Sequence, residues 1–300
     1  MHGVHPILPT PFLASGELDI PSLRKLIDFQ AAVGVHGVAI LGFLGEAHKL
    51  SGPERQTVTE TVLEQAQGKL QVSVGVRAFG AAGAIEQATA AERAGADAVF
   101  VAPIGMQNDD ALEGFYREVS GAIGIPLLLH DYPASFGTKL STNLIARLVN
   151  DVPGIIGIKA EDPPVLQKLT GLIEQTDGRI ESFGGLGGEY FLEELARGAR
   201  GIMTGFAYPE ILLAIYEHHA AGRHDDAAAV FDKYASLIRY EFQPGVGLAF
   251  RKHIYAKRGI FATTFVRAPG ASLDATTQQE LDGLVARMGL TYASGPEAVG

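Results

Sequence analysis

Lys159 closes an apolar run, Ile155-Ile156-Gly157-Ile158-Lys159, that reads as a short buried strand with one amine at its far end. Desolvation disfavours the ammonium form and can lower a lysine pKa by several units. An amine made neutral in this way can attack a ketone carbon and form a Schiff base. A strand-end lysine can instead lay its stem on apolar surface and keep its head in water. The run alone leaves both readings open. A second run ends in His130-Asp131. Imidazole, with an unperturbed pKa of ~6.5, can move protons near neutrality, or serve as a hydrogen-bonded structural group. Adjacent strand residues point to opposite faces, so Asp131 is expected to bond local backbone rather than the His130 ring.

To act together these groups need a scaffold that gathers strand ends, and the apolar runs supply one. Runs at 4–8, 37–42, 71–76, 98–103, 126–131, 155–160, 179–183 and 201–205 are short and lack polar alternation, as parallel strands covered on both faces do. Helix-like segments lie between them. Leu23, Leu26, Ile27 and Ala31 recur at helical spacing. Ser51-Gly52-Pro53-Glu54 offers a cap and an early proline, and an alanine-rich stretch at 81–94 stops at Gly95. Eight strand–helix units predict a (β/α)8 TIM barrel over residues 1–222, near the usual size of ~250 residues. From 223 to 300 a C-terminal three-helix extension is expected, with helices near 225–240, 246–257 and 274–288 and a loose tail from Tyr292. Its expected role is packing or oligomerisation. A doubly wound dinucleotide fold would place a glycine-rich turn after its first strand. The comparable cluster here, Gly184-Gly185-Leu186-Gly187-Gly188, follows the seventh, where a barrel often binds anions through backbone N–H groups.

Composition narrows the partners. The 300 residues are 47% hydrophobic with a formal net charge of −10, which argues against nucleic acid or an anionic membrane. No apolar run reaches the ~18 residues that cross a bilayer. The first residues lack the basic and apolar regions of a signal peptide, so a cytoplasmic protein is expected. Cysteine is absent, which removes disulfides, thiolate metal sites and a cysteine nucleophile. No His-x-His pair lies on a strand, and His218-His219 sit adjacent on a helix, where side chains diverge. Neither a metal nor a cofactor is expected.

Barrel enzymes place catalytic groups at the C-terminal ends of strands. That rule selects Thr10, the segment Phe43 to Glu46, Arg77, His130-Asp131 and Lys159. The order of Pro9-Thr10-Pro11-Phe12, Gly42-Phe43-Leu44-Gly45-Glu46, Asp131-Tyr132-Pro133 and Gly157-Ile158-Lys159 resembles the dihydrodipicolinate synthase/N-acetylneuraminate lyase family over almost the whole chain. The resemblance implies a class I lyase acting on a 2-keto acid, with Lys159 as the Schiff-base lysine, assembled as a homotetramer or homodimer. It also implies that Gly42 to Glu46 corresponds to the family's Gly-Thr-Thr-Gly-Glu loop, which holds the keto acid's carboxylate. Both threonine positions are apolar here, Phe43 and Leu44, so backbone N–H groups of Leu44 and Gly45 are the expected donors. Glu46 is either structural or an acid/base group.

Other positions depart from the family's synthases. His130 stands at the relay tyrosine, where the resemblance implies a catalytic role, and Ser135 stands at an arginine used for a distal carboxylate. A second relay tyrosine would fall near Gly105. The segments Asp131-Tyr132-Pro133-Ala134-Ser135 and Met203-Thr204-Gly205 are most similar to 2-keto-3-deoxy sugar-acid dehydratases of the L-2-keto-3-deoxyarabonate type. Substrate contacts are accordingly expected at Phe43, Leu44, Gly45, Ser135, Gly185 and Met203, with Thr10 and Glu46 as further candidates. One enamine could serve either loss of a C4 hydroxyl or C3–C4 cleavage. The alternatives are a dihydrodipicolinate synthase or neuraminate lyase-like pyruvate aldolase, a metal-dependent barrel hydrolase or class II aldolase, and a non-catalytic keto-acid sensor.

Overall fold

Eight parallel strands surround a filled interior in the computed structural model, which describes residues 1–294. They are β1 (Gly3–Val4), β2 (Gly37–Ile40), β3 (Gln71–Ala78), β4 (Ala98–Pro103), β5 (Leu127–Asp131), β6 (Ile155–Ala160), β7 (Glu181–Gly184) and β8 (Gly201–Ile202). Hydrogen-bonded neighbours run β1-β8-β7-β6-β5-β4-β3-β2. A parallel bridge from Ile7 to Ala39 brings the chain after β1 against β2, with Leu8 N–H donating to the Ala39 carbonyl at 2.9 Å. This is the (β/α)8 architecture that the alternating runs predict.

The first and last strands are shorter than expected from 4–8 and 201–205. Pro6 has no N–H to give to a ladder, and regular pairing stops before it. Backbone contact nonetheless continues, with Ile7 N–H donating to Thr204 O and Met203 N–H to Gly184 O, each at 2.9 Å.

Helices cover the barrel: α1 (Ile20–Val33), α2 (Gly52–Ala66), α3 (Ala81–Ala94), α4 (Asp109–Gly121), α5 (Pro133–Phe136), α6 (Thr142–Asp151), α7 (Val165–Gln175), α8 (Phe191–Ala196) and α9 (Pro209–Ala220). Local chemistry sets their ends. Ser51 and Glu54 form a reciprocal capping box at α2, and Gly34 and Gly95 end α1 and α3 in the left-handed conformation. The four-residue α5 was not anticipated; it starts at Pro133 and ends at Gly137. Beyond the barrel lie α10 (His224–Glu241), α11 (Gly247–Lys257) and α12 (Ala275–Arg287), close to the three helices expected. Of the tail expected to be loose from Tyr292, residues 295–300 lie outside the described part.

Residues alternate between the barrel interior and the helix layer. Ile7, Ala39, Phe100, Leu128, Phe183 and Met203 form a separate buried cluster that fills the cylinder, as layered barrel interiors do. His130 and Lys159 follow Leu128 and Gly157 by two residues on paired strands, with Leu128 opposite Gly157 and His130 opposite Lys159. They therefore cap that filled interior at its C-terminal mouth.

Candidate active site

Lys159 ends inside the mouth, not in solvent: the residue is 4% exposed. Its Nζ lies 3.3 Å from His130 Nε2 and forms an ion pair with Glu161 Oε2. The same carboxylate oxygen is 3.0 Å from His130 Nε2. Glu161 does not stand out in the sequence, because it lies just past the apolar run at 155–160. Its spacing is a usable signal, since residues two apart on an extended chain share a face. The second oxygen, Oε1, accepts the Leu186 N–H at 3.1 Å. Gly185 must be a glycine here, because a Cβ would overlap the Glu161 side chain.

Burial sets the charge states. It holds the Lys159 pKa down at about 7; Glu194 opposes this and Arg77 reinforces it. Burial also drives the His130 ring well below its ordinary value, with the Lys159 and Arg77 charges acting the same way. A neutral imidazole, an amine near its midpoint and a carboxylate thus share one proton-exchange network. Phe100 and Phe136 meet the His130 ring edge-on at 5.4 and 5.0 Å, and Tyr132 stacks near it at 6.3 Å.

The turn after β2 faces this cluster. Gly45 N–H donates to Gly42 O and Glu46 N–H to Phe43 O, both at 3.1 Å, while Thr10 Oγ1 donates to Gly45 O at 2.6 Å. Gly45's amide is therefore spent inside the turn, whereas Leu44 N–H has no partner among the described residues. Thr10 acts as a fastener. Glu46 is fully buried and turned away, pairing with Lys49 at 2.9 Å and Lys252 at 2.5 Å. Phe43 is exposed and stacks on His48 at 4.9 Å.

A cleft of about 50 Å³ opens between these parts, with Lys159, His130, Glu161, Phe43, Leu44 and Thr204 among its walls. Met203 does not line it but fills the barrel interior below. Ser135 sits half-buried in α5, outside the cleft wall. Asp131 points to the other face, where it accepts Leu140 N–H at 3.3 Å and pairs with Lys168 at 2.5 Å. Tyr132, Gly205 and Phe242 also line the cleft and were missed as contacts. Phe242 follows α10, so the C-terminal helices contribute to the site as well as to packing.

The pattern of the dihydrodipicolinate synthetase family matches residues 1–288. The chain belongs to that family. An L-2-keto-3-deoxyarabonate dehydratase of Azospirillum brasilense is 31% identical over 293 residues, spanning 95% of this chain and 94% of the relative. A 4-hydroxy-tetrahydrodipicolinate synthase of Chlorobium chlorochromatii is 28% identical over 291 residues, with 94% and 96% covered. Among solved structures, a dihydrodipicolinate synthase from Rhodopseudomonas palustris superposes with a TM-score of 0.90 at 38% identity, covering 96% of this chain and 97% of the other.

In this dihydrodipicolinate synthetase family member the lysine meets a histidine and a glutamate. Among the described residues, no three His, Asp or Glu side chains gather as a metal-binding group.

Proposed function

We propose that this chain is a Schiff-base-forming lyase that dehydrates a 2-keto-3-deoxy sugar acid. The observation that carries the reading is the enclosed Lys159 amine in contact with both a neutral histidine and a carboxylate at the wall of a cleft. Glu161 takes the ammonium proton as the amine attacks the C2 carbonyl. Leu44 N–H offers a donor for the C1 carboxylate. The carbinolamine loses water to give an iminium, with the departing hydroxide protonated by Glu161, which returns the proton it took from the ammonium. Glu161 or His130 then removes a C3 proton. The enamine expels the C4 hydroxyl, which leaves as water with that proton. His130 is suited to this traffic because burial keeps it uncharged.

The dehydratase relative and the absence of a tyrosine at position 130 support dehydration. A second reading, condensation or cleavage of a carbon–carbon bond on pyruvate, is favoured by the 38% identity to the Rhodopseudomonas synthase; product analysis separates the two. In this reading the barrel of residues 1–222 carries the amine, and the assembly is a cytoplasmic homotetramer or homodimer. Borohydride with pyruvate tests the core. Wild type should gain one reduced pyruvyl adduct on Lys159 and Lys159→Ala none; equal labelling of both would remove the assignment.

A further inference from the structure

A second buried cation beside the cleft has a donor with nothing to hold. Arg251 reaches from α11 to the loop after β8, where its Nε donates to Gly205 O at 2.8 Å and lies 2.9 Å from Glu241 Oε1. Its Nη2 is enclosed and has no partner among the described residues. Leaving a buried donor unpaired is costly, more so when it is charged, so such a group calls for a use.

The surroundings supply the use. Gly205, Leu44 and Phe242 line the cleft; Gly205 gives its carbonyl to the guanidinium, and Phe242 follows Glu241 in the chain. A Cβ at Gly205 would fall 3.1 Å from Arg251 Nε and collide with a Leu44 methyl; only glycine lets the guanidinium come so near the cleft wall. Tyr132, another lining residue, lies within electrostatic range of Arg251. The chemistry at C2 and C3 belongs to Lys159, His130 and Glu161, and the turn at Leu44 faces C1. The wall by Gly205 and Phe242 is left for the rest of the substrate.

We propose that Arg251 determines specificity by donating from Nη2 to an oxygen that the substrate carries beyond C3. Glu241, held by Ala207 N–H at 3.1 Å, already offsets the arginine's charge. Burial raises the Glu241 carboxyl pKa to about 7 while Arg251 lowers it, so the pair presents a donor of reduced net charge, which suits a neutral hydroxyl better than a second carboxylate. The proposal rests on the keto-acid lyase reading and assigns a residue to the hydroxylated tail of its substrate.

Two probes test it on the full chain. Pyruvate has no atom beyond C3, and its methyl-proton exchange reports only Schiff-base and enamine formation. A C5 2-keto-3-deoxy acid reports the complete site. Arg251→Met should lower kcat/KM for the C5 acid by about 10- to 100-fold, the size of one charged hydrogen bond, and slow pyruvate exchange by less than about 3-fold. Arg251→Lys should fall between. Because Arg251→Met strands Glu241, the double variant Arg251→Met/Glu241→Gln must show the same selectivity loss while folding normally. Equal losses on both probes, or no loss on the C5 acid, overturn the proposal. A wild type that yields no borohydride adduct with pyruvate overturns the lyase reading itself.

Discussion

Lys159 draws its reactivity from a cation three strands away as well as from burial. Register places Arg77 opposite Ala102 and His130 opposite Lys159, and the β4–β5 pairing of Val101 with Leu129 carries the row from Ala102 to His130. All four side chains therefore point into the barrel mouth at one level. Arg77 is buried, gives Nη2 to Leu41 O at 3.0 Å and lies 5.4 Å over the Phe136 ring. No carboxylate pairs with it among the described residues, so its charge acts on both neighbours. With Lys159 near 7, Schiff-base formation should climb through neutral pH and level off about one unit above that midpoint. Arg77→Met removes a repelling cation, so the ammonium is favoured and the midpoint should move up by about 1 unit. Borohydride-quenched adduct yield against pH reads this directly; an unmoved midpoint would leave Arg77 only its bond to Leu41.

At the scale of elements, the turn after β2 depends on parts far away in sequence. Leu41 and Glu46 bracket it, both at φ 54°, a left-handed conformation that costs a non-glycine residue about 1–3 kcal/mol unless its surroundings enforce it. Arg77 holds the first through its carbonyl. Lys49, Lys252 and the Arg267 N–H, the last at 3.0 Å, hold the second through its carboxylate. Lys252→Met should destabilise the fold by about 3 kcal/mol, because a buried carboxylate loses its fully buried partner. It should also raise KM for pyruvate more than it lowers kcat. Urea unfolding and steady-state kinetics check the two parts, and a fall in kcat with KM unmoved would contradict a role through the turn. The Lys252 and Arg267 contacts of this latch were not legible in the chain, because they lie about two hundred positions from Glu46. What was legible depended on burial from both sides: strand runs stood out, as did Lys159 and His130 at strand ends, because barrel geometry converts sequence position into place. Glu161 and Arg251 escaped for opposite reasons. Glu161 lies one residue past the apolar run, and Arg251 sits mid-helix, where a charged side chain ordinarily reads as solvated.

For the whole molecule, two buried groups at different places give the fold opposite sensitivities to pH. His5, enclosed near the start of the chain, has its pKa lowered to about 4, chiefly by burial. The unfolded chain binds that proton near 6.5, so the stabilising contribution is full above that value and is lost as pH falls toward 4. Glu194 on α8 is the reverse case. Burial, with the Glu193 charge, raises its carboxyl pKa to about 8, and neither oxygen has a hydrogen-bond partner among the described residues. Its contribution is complete below about 4.5, where both states are protonated. It is then lost steadily as pH rises to 8, because the unfolded chain ionises first. Glu194→Gln stays neutral throughout, so its stability relative to wild type should improve from pH 5 to pH 8 by about 2–4 kcal/mol and change little beyond. Urea midpoints at pH 5, 6.5, 8 and 9 give the curve. A constant offset across that range would mean that Glu194 is ionised in the folded barrel, and the alkaline loss of stability would then have to arise elsewhere.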